Sequence, residues 1–572
     1  MTSAPRLVAI LATIALGVGV AWLASGRART APVNDLCVPC SVQPAPVQPA
    51  LLTFFQPDKK APADPQRPYV GFRACLQCHD SGAKGKTILP GGIELDLMDE
   101  QWVLYKEFPI WAQKDKHGQA FAVLLNERSK TIGKLMGSAA VHRDPRCLAC
   151  HTGYPQSQMV THKDGLVDAD LAKDLDVNLG VSCEGCHGAS GDLKVDGKVV
   201  RAGWKDPHQV APTMPYEKTK PWRFLSPEVK RDEYGFNDVR TPAAKAKLCA
   251  SCHVGDVECG RVVTHEMYAA GHPPLPGFEL ETFVAQMPRH WAELTSKDPK
   301  VQEHFVKHTS DPLYQEKTYK KDSLHRTRSL LAGAAAAAGE YLRLTAQLAD
   351  ENVKGREWPE LAVFDCYACH HELKSAGWRQ ARKPPLGVPG RPALQDWPFV
   401  LARIALKDDV DGKLADVRKA LAGQPFGAGK DVAKSAQTAA AWFDAKALEL
   451  QKRPVSTQEG TMLLKQIASV GAEEPLDYDS ARQLAWAFQV IAGDLNSNDA
   501  DAKKATTLVA EMDKKLLLLD LRSGRKAATA VPGDKKDRET IEVDLGVVLP
   551  LISSYDPAQF QARFKEIAAL LK

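Results

Sequence analysis

The stretch FDCYACHHELKSAGW, residues 364–378, places two cysteines and two histidines within six residues. Its Cys-x-x-Cys-His part also occurs as CLQCH at 75–79, CLACH at 147–151, CEGCH at 183–187 and CASCH at 249–253. With 13 Cys and 16 His in the chain, chance placement gives roughly 0.01 such matches, so the repetition is not accidental. Thiols at i and i+3 of a helical turn share a face and can add across the two vinyl groups of one haem. The histidine that follows then lies under the iron as its proximal ligand. A thiol-redox pair needs no histidine at a fixed place, and zinc would need further cysteines or histidines at paired spacings.

The motifs therefore predict five covalently attached haem c groups. They are held by Cys75, Cys78 and His79; Cys147, Cys150 and His151; Cys183, Cys186 and His187; Cys249, Cys252 and His253; and Cys366, Cys369 and His370. A chain of this kind packs around its cofactors rather than around an ordinary apolar core. The formal charge of +4 omits the haem propionates, which would add about −10 and leave the holoprotein mildly acidic. No basic stripe with interleaved aromatics supports a nucleic-acid partner.

The last cysteine is Cys369 and the last histidine His371, so the remaining 201 residues contain neither. That part reads as helices. Asp556 is placed as an N-cap with Pro557 at the first helical position, followed by Phe560, Phe564, Ile567 and Leu571 at helical spacing. Leu484, Phe488, Ile491 and Leu495 make a second stripe, and Leu508, Met512, Leu516 and Leu519 a third. Such stripes are the core of a helical bundle, and no catalytic constellation stands among them. The predicted class is mainly α: a loop-rich pentahaem cytochrome c domain over 69–393, then a haem-free α-helical domain over 394–572.

The N-terminus points to export. Arg6 precedes an uncharged run from Leu7 to Ala24, whose 18 residues just reach the length of a membrane span. Ala24 and Gly26 offer a small-x-small cleavage site, so residues 1–30 read either as an inner-membrane anchor or as a removed signal peptide. Both readings put the haem region in the periplasm or at the surface. Residues 31–68 form a linker with seven prolines between Ser41 and Pro68, a semi-rigid stalk. Within it Cys37 and Cys40 have the haem spacing, but Ser41 stands where histidine should be. A local disulfide is the preferred reading, against a lost haem site or a free pair. Cys259 reads as a buried thiol.

Eleven further histidines face at most five distal iron positions, so counting alone leaves the coordination open. His265 and His272 are seven residues apart, on one helical face ending before Pro273 and Pro274. They suit two neighbouring irons. His371, about 100° beyond His370 on a helix, points at an adjacent iron or bonds a propionate. His142 and His162 flank the second motif, and His290, His304, His308 and His325 precede the fifth. One of these four is expected to serve a haem.

The order CLQCH, WAQKDKHGQAF (111–121), CLACHTGY, GVSCEGCHGASG and CASCH resembles the cytochrome c-554 family over about 69–275. The resemblance implies a mostly helical, loop-rich fold with stacked haem pairs, mainly bis-His irons and one five-coordinate iron. It implies distal roles for His117 and His208, and it makes the haem at Cys147, Cys150 and His151 the counterpart of the open one. The fifth motif and everything after it lie outside the family pattern.

The leading expectation is a periplasmic pentahaem electron carrier exchanging electrons with redox partner proteins, a membrane respiratory complex among them. The alternative is a haem enzyme acting on hydroxylamine, nitrite or nitric oxide at one open iron. A third reading, compatible with the first, has the C-terminal bundle dock the protein into a larger assembly.

Overall fold

A computed structural model describes residues 67–80, 88–89, 93–94, 102–159, 166–167, 180–205, 207–209, 222–315, 324–350, 358–370, 392–407, 409–423, 425–473, 475–516, 525–530, 539–543 and 555–572. The fold is mainly α, as expected. The strands form three two-stranded antiparallel ribbons, Ile88–Leu89 with Ile93–Glu94, Leu193–Val195 with Lys198–Arg201, and Arg525–Ala530 with Glu539–Val543. The apolar run 7–24, the linker with Cys37 and Cys40, and His162, His371 and Leu519 lie outside the described residues. No described helix is long and apolar enough to cross a membrane.

From Arg67 to Ser310 the chain is built of short helices and 3-10 turns. Four of the five motifs end a helix of their own. Pro145–His151 starts with Pro145 at N1, and the Asp144 carboxylate accepts from Arg146 N–H at 2.9 Å. Pro242–His253 also opens on proline, and Cys183–His187 stops at Gly188 with φ 86°. A Cβ at Gly188 would stand 2.5 Å from Gly235 O, so only glycine allows that turn. Leu76–His79 carries the first motif, and the fifth sits on the 3-10 turn Cys366–Ala368, capped by Asp365.

The apolar clusters in this region are small. One holds Phe121, Leu124, Leu148, Tyr154 and Val167, another Phe224, Leu294 and Phe305. A single large core instead runs from Ala243 and Ala250 on the fourth-motif helix to Phe560, Phe564 and Ile567 on the last one. Its axis is the alanine-rich helix His325–Ala349, buried along nearly all its length. Small residues let neighbours approach closely there: a Cβ on Gly333 would stand 2.8 Å from the Leu280 Cβ. The Gly429–Lys452 helix packs along it, with Phe443 and Ala440 fully buried. Polar side chains from the C-terminal helices also reach the haem-motif region. Gln451 accepts from Ala243 N–H at 3.1 Å, and Gln483 donates to Phe278 O at 2.9 Å.

Two of the three C-terminal stripes fold as read, while on Ala500–Leu516 the buried face runs through Ala505, Val509 and Met512 with Leu508 half-buried. Asp556 caps Pro557–Leu570, accepting from Ala558 and Gln559 N–H, and Phe560, Phe564 and Ile567 are fully buried. Leu484, Phe488 and Ile491 on Tyr478–Leu495 are equally buried. Two expectations need correction. The helix carrying His265 ends at Ala269, and Gly271 at φ 106° turns the chain before His272, so the two histidines do not share a helical face. Cys259 is disulfide-bonded rather than a thiol, its partner lying outside the described side chains.

Candidate metal centres

In three of the five motifs the proximal histidine ring faces a second histidine ring across a gap. His79 and His208 have ring centres 6.4 Å apart and planes 12° from parallel. For His253 and His117 the values are 6.2 Å and 89°, and for His370 and His265 they are 6.2 Å and 29°. Two imidazoles bound to opposite sides of one metal at about 2 Å, each ring centre about 1.1 Å behind its ligating nitrogen, stand about 6.3 Å apart. These spacings leave room for one iron between the rings and are too long for direct stacking.

The other two motifs have histidine neighbours as well. Burial lowers the His187 pKa to about 4, with His290 the next contributor. Burial likewise lowers His272 to about 4, with His151 the next contributor. His253 is pushed down to about 3 by burial and then by His117. These rings are held neutral, the state in which an imidazole nitrogen can donate to a metal.

Several of the rings have Nδ1 engaged, which leaves Nε2 for a ligand. His117 Nδ1 lies 2.9 Å from the buried Asp115 carboxylate. His151 Nδ1 is 2.7 Å from Ala120 O, His208 Nδ1 3.0 Å from Trp204 O and His272 Nδ1 2.8 Å from Pro273 O. His79 Nδ1 is 3.2 Å from Glu107. Burial alone would lower the His79 pKa, but the Glu107 carboxylate outweighs it and the net shift is upward. Among the described residues no group of three or more His, Cys, Asp or Glu could hold a metal ion.

The motifs also stand in an order unlike their order in the chain. Cys75 and Cys183 perturb each other's ionisation, which puts the first motif near the third. Cys186 feels Cys249 and Cys252, which puts the third near the fourth, and Cys150 and Cys252 perturb each other, which puts the fourth near the second. Tyr268, one turn beyond His265, feels Cys366 and lines a cavity with His253, Tyr341, Val363 and Gln395. That cavity is bounded by His253 of the fourth motif and by Ala362 and Val363, just before the fifth. Cys366, Cys369 and His370 are exposed, whereas the thiols of the second, third and fourth motifs are half-buried.

Four of the distal histidines read from the sequence thus stand beside a motif: His117, His208, His265 and His272. Among the remaining candidates the field of His290 reaches His187, and His290 itself feels Asp115, Glu107 and His117. His142 is exposed, and His304 and His308 pair with each other at 4.3 Å between ring centres. Sequence reasoning missed the residues that brace the sites. Glu184, inside the third motif and 1% exposed, accepts from Gly71, Val70 and Ser190 N–H, tying the chain before the first motif to the third. Its place in CEGCH was the available signal, because a carboxylate there must find partners on burial.

The family described as Cytochrome c554 and c-prime matches residues 105–188, which hold His117 and the second and third motifs. No curated protein and no solved structure matches the chain. The family match supports a c-type cytochrome with covalently bound haem c and a part in electron transfer.

Proposed function

We propose that the protein is a periplasmic pentahaem cytochrome that carries electrons along closely spaced bis-His sites. The axial pairs are His79 with His208, His151 with His272, His187 with His290, His253 with His117 and His370 with His265. The observation that carries this reading is that His79, His253 and His370 each have a second histidine ring centred 6.2–6.4 Å away, while the field of His151 reaches His272 and that of His290 reaches His187.

Bound haem would supply a one-electron iron couple at each site. The chain's own residues do the rest. The cysteine pairs hold each macrocycle covalently, and the histidine pairs saturate the axial positions. Asp115, Glu107 and the carbonyls of Ala120, Trp204 and Pro273 fix the ring orientations and direct Nε2 inward. His151, His187 and His253 are half-buried, and desolvation lowers the pKa of each, which favours the neutral ring. The mutual influence of the thiols supports an order of first, third, fourth and second motif, with the fifth reached from the fourth. In that order the first motif is one end, and the exposed fifth is a port for a redox partner protein. The proposal includes export. If Leu7–Ala24 is retained, it holds the carrier beside a membrane respiratory complex.

The enzyme alternative needs an iron without a second side chain, and the second motif was its candidate. His272 beside His151 weighs against it. Electron paramagnetic resonance of the oxidised holoprotein, integrated against total haem, tests the choice. Five haems per chain, all low-spin, are expected. A high-spin signal near one iron per protein would overturn the carrier reading and make small nitrogen ligands the next titrants.

A further inference from the structure

Arg261 is 2% exposed and lies outside every haem motif, yet its guanidinium joins two of them. Nε donates to Ala149 O at 3.1 Å, Nη2 to Gly153 O at 2.6 Å and Nη1 to Ser251 Oγ at 2.7 Å. Ala149 is inside CLACH and Ser251 inside CASCH, so the side chain fills the seam between the second and fourth motifs. The loop that delivers it follows the fourth motif directly. Asp256 and Arg261 exchange two backbone hydrogen bonds of 2.8 Å, Gly260 turns at φ 70°, and Cys259 at the tip is disulfide-bonded. None of the guanidinium's hydrogen bonds is to a carboxylate among the described residues. Asp256 on its own loop supports the cation electrostatically, yet burying it without a carboxylate hydrogen bond is costly, and tying two loops together could be done by a neutral amide. The charge itself therefore calls for a use.

We propose that Arg261 raises the reduction potentials of the haems at the second and fourth motifs relative to the other three. The proposal rests on the haem assignment above. Reduction of either iron from ferric to ferrous adds one electron, supplied by the redox partner or titrant and returned to it on reoxidation. In a site shielded from water, a fixed cation at the seam stabilises the more negative, reduced state. The residue is a positioning and tuning residue, since it acts through the motif backbones and its field without touching an iron ligand.

The test is a spectroelectrochemical titration of the holoprotein, with haem content and low-spin integration measured on the same samples. Arg261→Met and Arg261→Gln should lower two of the five midpoints, shifting the reduced-to-oxidised ratio at fixed potential at least tenfold, or 59 mV for one electron. Arg261→Lys, which keeps the charge and loses the fork, should leave the midpoints in place while lowering thermal stability. Where the charge-free variants fail to load haem, Ser251→Asp gives a second route. It neutralises the guanidinium in place and should lower the same two midpoints. Unshifted midpoints with five low-spin haems would overturn this inference alone, as would an equal shift of all five. A wrong haem count or a high-spin iron in the wild type would instead overturn the assignment beneath it.

Discussion

The chain before Ser310 and the helices after Trp397 are built on different principles. Up to about residue 240 the first has two small apolar clusters among short helices, the later one completed by Leu294 and Phe305, and it joins the large core only through residues such as Ala243, Ala250, Phe278 and Leu280. The second has long helices with fully buried Phe443, Phe488, Phe560 and Trp486, and neither cysteine nor histidine. The difference teaches where cohesion comes from. In the first region the space between loops is shaped for haem, so the burial that stabilises it comes with the cofactor. In the second the side chains supply it themselves. The alanine-rich helix His325–Ala349 belongs to both regions, since it packs on the fourth-motif helix and on Gly429–Lys452.

The largest effect should come from withholding haem attachment. Protein made without it should lose ordered structure before about residue 240 and keep a protease-resistant helical core from the His325–Ala349 helix onward. Limited proteolysis with mass spectrometry and far-ultraviolet circular dichroism would read this. Uniform degradation of the whole chain would break the comparison.

Within the bundle, Phe443→Ala should cost about 3–5 kcal/mol through lost burial and the cavity left behind. The haem absorption spectrum should be unchanged, and denaturant titration followed by both signals would show whether the two regions respond separately. At the junction, Lys247 on the fourth-motif helix lies 2.7 Å from Asp444, which also pairs with Arg343. Asp444→Ala leaves buried Lys247 and half-buried Arg343 with only Glu340, at 3.8 and 3.4 Å, and should cost about 1–3 kcal/mol. It should also make haem-region and bundle unfolding less cooperative with each other.

Glu279 sharpens the comparison through pH. It caps Leu280–Ala285, accepting from Glu281 and Thr282 N–H, and it is 3% exposed. Burial raises its pKa from 4.5 to about 7, against the lowering effect of those hydrogen bonds. The folded state thus prefers the protonated acid. Its stabilising contribution is complete below pH 4.5 and is lost as pH rises toward 7. Relative to Glu279→Gln, the natural protein should lose stability on the order of 1–3 kcal/mol across that window. Thermal melts of both proteins from pH 4 to 8 would read it, and parallel profiles would contradict the assignment.

Much of the site was legible because haem attachment imposes a local spacing. Five CxxCH runs mark their own ligands without reference to the fold, and helical stripes such as Phe560, Phe564 and Ile567 mark a buried face in the same local way. Distal histidines were legible only in part. His117 and His208 came with a family resemblance and His265 and His272 with their spacing, but the helix assumed for that spacing stops short at Gly271. His290 was one of four equal candidates in its stretch, since nothing in its neighbours announces a partner about 100 residues earlier. Glu184 and Arg261 had no periodic signal. Their partners lie in loops brought close only by folding.

By itself the sequence determined the five Cys-x-x-Cys-His motifs on which the proposed haem attachment rests, the mainly helical class, and the stretch free of cysteine and histidine. These depend on contacts a few residues apart. Only the tertiary structure decided that the first motif lies against the third and the fourth against the second, which histidine faces which, and where a buried arginine places its charge. Those depend on the distance between loops, and the packing of helices such as His325–Ala349 sets it.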